Sequence, residues 1–238
     1  MTKTTRAKNP LTLTVDIGGQ GIKGMPILGT DTPTAPRFRI KTPRPATADP
    51  VIHTISAVFD HFRPFDRVTV GFPGVVNHGV VATAPNLDGR WKGVHLEERL
   101  GAIAGVPLRV INDADMQGFG AIEGKGVEMV ITLGTGVGAA LFLDGKLLPN
   151  LELGHHPFEK NETYEERLGQ KALDQLGVRH WNRRIDRATK LLRKIFNFRK
   201  LYLGGGNSRC IDTKLPSDVV IVRNAVAFLG GARFWELG

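Results

Sequence analysis

Three short glycine runs, Gly18-Gly19-Gln20-Gly21, Gly134-Thr135-Gly136-Val137-Gly138 and Gly204-Gly205-Gly206, each follow an apolar segment. A glycine turn at a strand end presents backbone N–H groups with no side chain in the way, so it can cradle phosphate oxygens. One such turn serves the positive φ of a hairpin equally well, but three strengthen the phosphate reading. None has the Gly-x-x-x-x-Gly-Lys-Ser/Thr pattern, and the first leads into a second strand, which argues against a dinucleotide-binding turn. Asp113, beside Asn112, ends the apolar run Leu108–Ile111. A carboxylate there can take the proton of an attacking hydroxyl, or Asn-Asp can simply cap a helix opening at Ala114, with Asp115 as its first-turn acid. Glu152, His155 and His156 form a third polar group. Adjacent histidines point in different directions, which disfavours a shared metal; the choice lies between hydrogen bonding to sugar hydroxyls and an exposed polar loop.

These residues need elements to hold them. Leu11, Leu13 and Val15 alternate with threonines, a strand pattern that runs into the first glycine turn and returns through Met25–Leu28. Thr30 to Pro50 reads as loop and edge. Asp49 is expected to cap a helix with Pro50 at its first position, burying Val51, Ile55, Val58, Phe59 and Phe62. Strands are expected at Val68–Phe72, Leu108–Ile111, Val130–Leu133, Ala139–Leu143 and Lys200–Leu203, with Asp144-Gly145 as a hairpin turn. Helices are expected at Tyr164–Leu176, His180–Phe196 and Asn224–Trp235, the second burying Trp181, Ile185, Ala188, Leu192 and Ile195. Strand, glycine turn and strand thus occur twice, a weak internal repeat that implies two α/β halves. The first ten residues read as a frayed leader.

Composition sets the bounds. The 238 residues are 41% hydrophobic and 23% charged, which excludes collagen-like, disordered and disulfide-scaffold chains. The 29 glycines exceed the usual share of about 7%. A single cysteine, Cys210, rules out an internal disulfide and a multi-cysteine zinc site. No signal peptide or membrane span is read, so the expected location is cytoplasmic. Lys and Arg number 32 against 23 Asp and Glu, a net charge of +9 that allows a polyanionic partner. Much of the excess lies between Arg179 and Lys200, where Arg183, Arg187, Lys190 and Lys194 recur on one helix face. That stripe is either a solvated face or a track for an extended anion. Nucleic acid fits poorly, because no recognition motif accompanies it.

Together, Asp16-Ile-Gly-Gly-Gln-Gly-Ile-Lys-Gly24, Gly71-Phe-Pro-Gly-Val-Val76, Asn112-Asp-Ala-Asp115, Leu133-Gly-Thr-Gly-Val-Gly138, Leu151-Glu-Leu-Gly-His155 and Leu203-Gly-Gly-Gly-Asn-Ser208 resemble the ROK family of sugar kinases, and within it the polyphosphate glucokinases. The resemblance implies an α/β, actin-like (ribonuclease H-like) two-lobed fold with the active site in the interlobe cleft. Its lobes would be residues 1–113, joined by a C-terminal helix 223–238, and 114–222. It implies phosphoryl transfer from polyphosphate or ATP to the 6-hydroxyl of glucose, with Asp113 as general base. Asn86, Asn112, Asp113, Glu152, His155 and Glu165 would bind the sugar. Gly18, Gly19, Gly21, Lys23, Gly134, Thr135, Gly136, Gly204 and Gly205 would line the donor path, and Asp16 would help hold Mg²⁺, directly or through water. Arg183, Arg187, Lys190 and Lys194 become the candidate polyphosphate track. A homodimer is implied, with no nucleic acid or membrane partner. The cysteine-rich zinc motif of many family members is absent, so no zinc is expected. Only about ten residues precede Leu11, too few for the DNA-binding module of the family's repressors. The alternatives are an ATP-dependent hexose or N-acetylhexosamine kinase and a non-catalytic sugar-sensing protein, and an intact Asp113 beside intact glycine turns favours an enzyme.

Overall fold

The structure, a computed structural model, describes residues 9–223 and 226–238. The expected leader therefore falls largely outside the described residues, as does Asn224, the expected start of the last helix. The chain forms two compact units: the described residues up to Gly120 with Ala227–Gly238, and those of Ala121–Val226.

In the first unit the order is β1 (Leu11–Gly18), β2 (Gly21–Leu28), β3 (Thr32–Pro33), β4 (Phe38–Ile40), α1 (Ala48–Phe62), β5 (Arg67–Phe72), β6 (Val76–Asn77), β7 (Val80–Val81), α2 (Leu96–Ala104), β8 (Leu108–Asn112) and α3 (Asp113–Ala121). Its main sheet has the order β3-β2-β1-β5-β8, with β4 also on β2. The β1–β2 pair is antiparallel, whereas β1–β5 and β5–β8 are parallel. The period of two along β1 divides its residues between two faces. Leu13, Val15 and Ile17 join Val68, Val70 and Phe72 in a core covered by Val51, Ile55 and Phe59 of α1 and Leu96 and Leu100 of α2. Helix α1 starts before Asp49, with Thr47 at the cap position, because Pro50 is tolerated anywhere in a first turn whose N–H groups lack helical partners.

The second unit runs β9 (Val127–Leu133), β10 (Val137–Leu143), β11 (Lys146–Leu148), β12 (Pro157–Glu159), β13 (Glu162–Thr163), α4 (Tyr164–Leu168), α5 (Gln170–Phe196), β14 (Lys200–Gly204) and β15 (Val219–Ile221). Its sheet has the order β11-β10-β9-β14-β15, again an antiparallel hairpin followed by parallel neighbours, so the weak repeat in the sequence is a repeat of topology. Gly177, at φ 70° and ψ 160°, kinks α5. Trp181, Ile185, Ala188 and Leu192 pack on Met129, Ile131 and Leu133, but Ile195 is 62% exposed and lies outside the expected apolar stripe.

The last helix, α6 (Val226–Leu237), lies almost wholly in the first unit and covers the second face of its sheet. Thr14 donates to the Phe228 carbonyl at 2.9 Å, Thr69 to that of Gly231 at 2.7 Å, and Trp235 Nε1 to Thr69 Oγ1 at 2.8 Å. A Cβ on Gly231 would meet Thr14 at 2.4 Å and one on Gly230 would overlap the Met116 carbonyl, so this pair of glycines sets how close α6 can come. Those contacts and the Phe119–Phe234 ring pair, 5.3 Å between centroids, keep α3 in the first unit. The division therefore falls after Gly120 rather than after Asp113.

Candidate active site

The polar face of β1 continues past the threonines to Asp16 and Gly18. Asp16 is the register partner of Lys23 on β2, and Asp16 Oδ2 lies 2.8 Å from Lys23 Nζ. Lys23 is in turn the register partner of Arg39 on β4, so Asp16, Lys23 and Arg39 form a row across three strands, and directly opposed residues share a face. Gly21 stands two residues before Lys23 on that face, and a Cβ there would sit 2.4 Å from Arg39 Nε. Three carbonyls of the turn accept from side chains of one neighbouring segment: Gly18 from Thr42 Oγ1 at 2.5 Å, Gly19 from Arg44 at 2.8 Å and Gln20 from Arg39 at 3.1 Å. Arg44 also pairs with Asp88 at 3.2 Å, and Asp88 accepts from the Ala46 N–H at 2.7 Å. The Ala46 bond and Arg44 together hold the Asp88 carboxyl below its ordinary range. Asn86, exposed on the same loop, brings its carbonyl 3.9 Å from a Cβ built on Gly19.

Asn112 and Asp113 stand at the end of β8, two strands from Asp16. The Asn112 carboxamide oxygen accepts from the N–H groups of Ala114 at 2.9 Å and Asp115 at 3.1 Å, and its nitrogen donates to the Gly74 carbonyl at 3.1 Å. Asn112 is thus the cap of α3, and Asp113 is the first helical residue, its Oδ1 accepting from the Ala114 N–H at 2.9 Å. Gly71, the register partner of Asp16, would place a Cβ 3.5 Å from the Asp113 Cα. Asp16 and Asp113 therefore share the carboxyl edge of the parallel strands, where open α/β sheets bind ligands.

In the second unit the Gly134 carbonyl accepts from the Gln170 N–H at 2.9 Å and from Asn207 Nδ2 at 3.1 Å. Gly205, at φ 84°, lies so close to Leu133 that a Cβ would come within 2.3–2.7 Å of its backbone, stacking the third glycine turn on the second. At Gly134 a Cβ would meet nothing within 4 Å and φ is not positive, so neither packing nor backbone conformation calls for glycine there. Glu165 Oε2 accepts from the Val137 N–H at 3.2 Å and occupies the place a Gly136 side chain would take. Its neighbour Glu166 is committed elsewhere: with Thr163 it forms a capping box at the start of α4. Glu152 Oε2 lies 3.4 Å from His155 Nε2 on a 3-10 turn whose Gly154 packs against the Val137 carbonyl. Burial pushes the Glu152 carboxyl above its ordinary range; His155 opposes this and Glu165 adds to it. Glu152, His155 and Glu165 therefore converge at the start of β10, beside Gly136, with Thr135 exposed on the turn.

The sequence pattern that defines the ROK family matches residues 12–170. The chain belongs to the ROK family. A polyphosphate glucokinase of Mycobacterium tuberculosis (strain ATCC 25618 / H37Rv) is 34% identical over 212 residues, spanning 85% of this chain and 80% of that protein. The crystal structure of an inorganic polyphosphate/ATP-glucomannokinase from Arthrobacter sp. strain KM is 33% identical, with a TM-score of 0.86 over 95% of this chain and 98% of that one. A ROK glucokinase from Streptomyces griseus, solved with glucose and AMPPNP, is 20% identical with a TM-score of 0.75 over 96% of this chain and all of that one, and shares the actin-like fold.

The basic face of this ROK chain is less uniform than its spacing implies. Arg187 pairs with Glu159 at 3.1 Å and Lys190 with Asp186 at 2.6 Å. Glu159 also binds Arg167, which holds Glu162 as well and so clamps the β12–β13 hairpin to α4. Arg183 lines a groove of about 450 Å³ with Arg179, Asn182, Asp186, Asp212 and Thr213. Lys194 is exposed, and among the described residues neither it nor Arg183 makes an ion pair. No helix among them is long and apolar enough to cross a membrane. Sequence reasoning missed Arg39, Thr42, Arg44 and Asp88, whose part in the first turn arises from strand register and carries no local motif.

Proposed function

We propose that this ROK protein is a glucokinase that transfers the terminal phosphoryl group of inorganic polyphosphate, and also that of ATP, to the 6-hydroxyl of glucose. The observation that carries the reading is Asp113 on a capped helix start, at the same sheet edge as the Asp16–Lys23 turn. The glucose oxygen attacks phosphorus as the bridging P–O bond to the rest of the donor breaks, and the hydroxyl proton passes to the Asp113 carboxylate. Asn112 acts by fixing Asp113, since its own amide is taken up with the α3 N–H groups and Gly74, while its second amide hydrogen serves the sugar. Glu152, His155, Glu165 and Asn86 bind further sugar hydroxyls, for which carboxylate acceptors and imidazole or amide donors are suited. Lys23 and the N–H groups of Gly18, Gly19, Gly21, Thr135, Gly136, Gly204 and Gly205 neutralise and orient the donor phosphates, while Gly134, whose N–H donates to the Gly136 carbonyl at 3.0 Å, shapes the second turn.

Asp16 offers a part-exposed carboxylate, and among the described residues no group of three acidic, histidine or cysteine side chains forms a metal cage. That donor set fits Mg²⁺, which binds through one or two carboxylates together with substrate phosphates. Bound at Asp16, the ion would supply charge neutralisation on the donor. Among the described residues, Arg183 and Lys194 are the unpaired members of the basic face and so the first to meet a long polyphosphate, while Arg187 and Lys190, also exposed, are already paired with Glu159 and Asp186. A cytoplasmic homodimer belongs to the same reading, on family resemblance.

Purified protein with Mg²⁺ and glucose should form glucose 6-phosphate from long-chain polyphosphate and from ATP supplied separately. Asp113→Asn should lower kcat by about 10³-fold or more while keeping the fold, as loss of a general base does. Near-normal turnover in that variant would remove Asp113 from the mechanism.

A further inference from the structure

We propose that Arg39 is a specificity residue for the phosphoryl donor, binding phosphate groups beyond the one transferred; this rests on the kinase reading above. Three observations converge on it. Arg39 is the third member of the row Asp16–Lys23–Arg39, so its side chain leaves the sheet on the face that carries both charged residues of the first glycine turn. Gly21 clears the space its guanidinium crosses, with Nε 2.4 Å from where a Cβ would be. Its charge is also uncompensated: Lys23 pairs with Asp16 and Arg44 with Asp88, but among the described residues no carboxylate pairs with Arg39.

The hydrogen bonds of the turn give this charge a direction. Thr42, Arg44 and Arg39 draw three consecutive carbonyls, those of Gly18, Gly19 and Gln20, toward one flank. A hydroxyl is sufficient to hold a carbonyl, as Thr42 shows, so an arginine at position 39 adds a positive charge that the hydrogen bond alone does not require. Only one amino group of that guanidinium is used on Gln20, and the remaining N–H donors of a planar fork suit phosphate oxygens. Polyphosphate carries many such groups in series. A cation at the mouth of the glycine turn therefore favours it over a nucleotide, whose chain ends in a neutral sugar.

Arg39→Gln keeps an amide donor for Gln20 and removes the charge; Arg39→Lys keeps the charge and loses the fork. With Arg39→Gln, the KM for long-chain polyphosphate should rise about tenfold and its dependence on salt should weaken, while the KM for ATP changes about two- to threefold, as loss of a charge-assisted phosphate contact predicts. The KM for glucose should stay unchanged, and Arg39→Lys should recover most of the polyphosphate affinity. Binding of polyphosphate without turnover, followed by the shift it produces in the thermal unfolding midpoint, should weaken in parallel. That readout holds even if glucose is the wrong acceptor, so failure of the sugar assignment is distinguishable from failure of this one. An unchanged polyphosphate KM and midpoint shift, or a loss confined to kcat and glucose KM, would leave Arg39 as a prop for the Gln20 carbonyl and overturn the proposal.

Discussion

The two hairpin glycine turns occupy equivalent places, each joining the antiparallel pair that begins a sheet of the same topology, yet opposite charges surround them. The first turn is met by Lys23, Arg39 and Arg44, and since Lys23 pairs with Asp16 and Arg44 with Asp88, Arg39 carries its excess positive charge. The second is met by Glu165, whose carboxylate sits on the Val137 N–H and fills the space beside Gly136. A similar sequence pattern thus makes a cationic end in one unit and a carboxylate-lined one in the other. On the function proposed above, the first is the turn that receives donor phosphates. In the second, Glu152 and His155 stand next to Glu165, and the Gly134 end is closed on itself, its N–H donating to the Gly136 carbonyl at 3.0 Å and its own carbonyl accepting from Gln170 and Asn207. A glycine turn has no charge of its own beyond its peptide dipoles, and residues distant in sequence decide what it binds.

The largest test separates glycines that packing demands from glycines left open. Gly205→Ala forces a Cβ into the Leu133 backbone at a positive φ and should cost about 3 kcal/mol or more, read as a fall in the thermal midpoint. Gly134→Ala, with nothing near its Cβ, should cost about 1 kcal/mol or less while raising the donor KM. Equal effects on stability would break the distinction between the two kinds of glycine.

Glu165→Gln tests the charge of the second turn. Glucose KM should rise about tenfold, the cost of weakening charge-assisted bonds to hydroxyls. The same variant has a titration signature. The Glu152 carboxyl is raised in the folded protein, so its ionisation opposes folding, and stability falls as pH climbs from about 4.5 through the raised value. Removing the Glu165 charge lowers that pKa and should flatten the fall. An unaltered slope of thermal midpoint against pH would mean that the two carboxylates do not sense each other.

The smallest effects belong to the basic helix. Lys194→Gln should raise the polyphosphate KM about twofold, a weak screened contact. Arg187→Gln should act mainly through Glu159, at about 1 kcal/mol or less, because Arg167 still holds that carboxylate. A change in polyphosphate KM at Arg187 larger than that at Arg39 would move the main donor contact from the first turn to the helix.

Much of this was legible along the chain. Alternation of Leu11, Leu13 and Val15 with threonines marked β1 running into Asp16 and the first glycine turn, and the apolar run before Asn112 put Asp113 at a strand end. The Thr163–Glu166 capping box, which separates Glu165 from Glu166, went unread, although Thr-x-x-Glu ahead of an apolar run marks a helix start. Ile195 was misplaced because periodicity continues to the end of a helix whether or not a neighbour covers its last turn. Arg39, Thr42 and Arg44 were not legible, because the Pro- and Thr-rich segment that carries them has no period and takes its meaning only from pairing with β2.

By itself the sequence determined the local matters: which segments are strands and helices, where glycine frees the backbone, and which polar residues end an apolar run. Those depend on propensity and periodicity within a few residues. The tertiary structure decided the sign of the charge at each glycine turn, the choice of Asn112 over Asp113 as cap, and the pairing of Arg187 with Glu159. These depend on strand register and on packing between segments tens of residues apart, and electrostatic and hydrogen-bond energies fall off so steeply with distance that only the folded chain sets them.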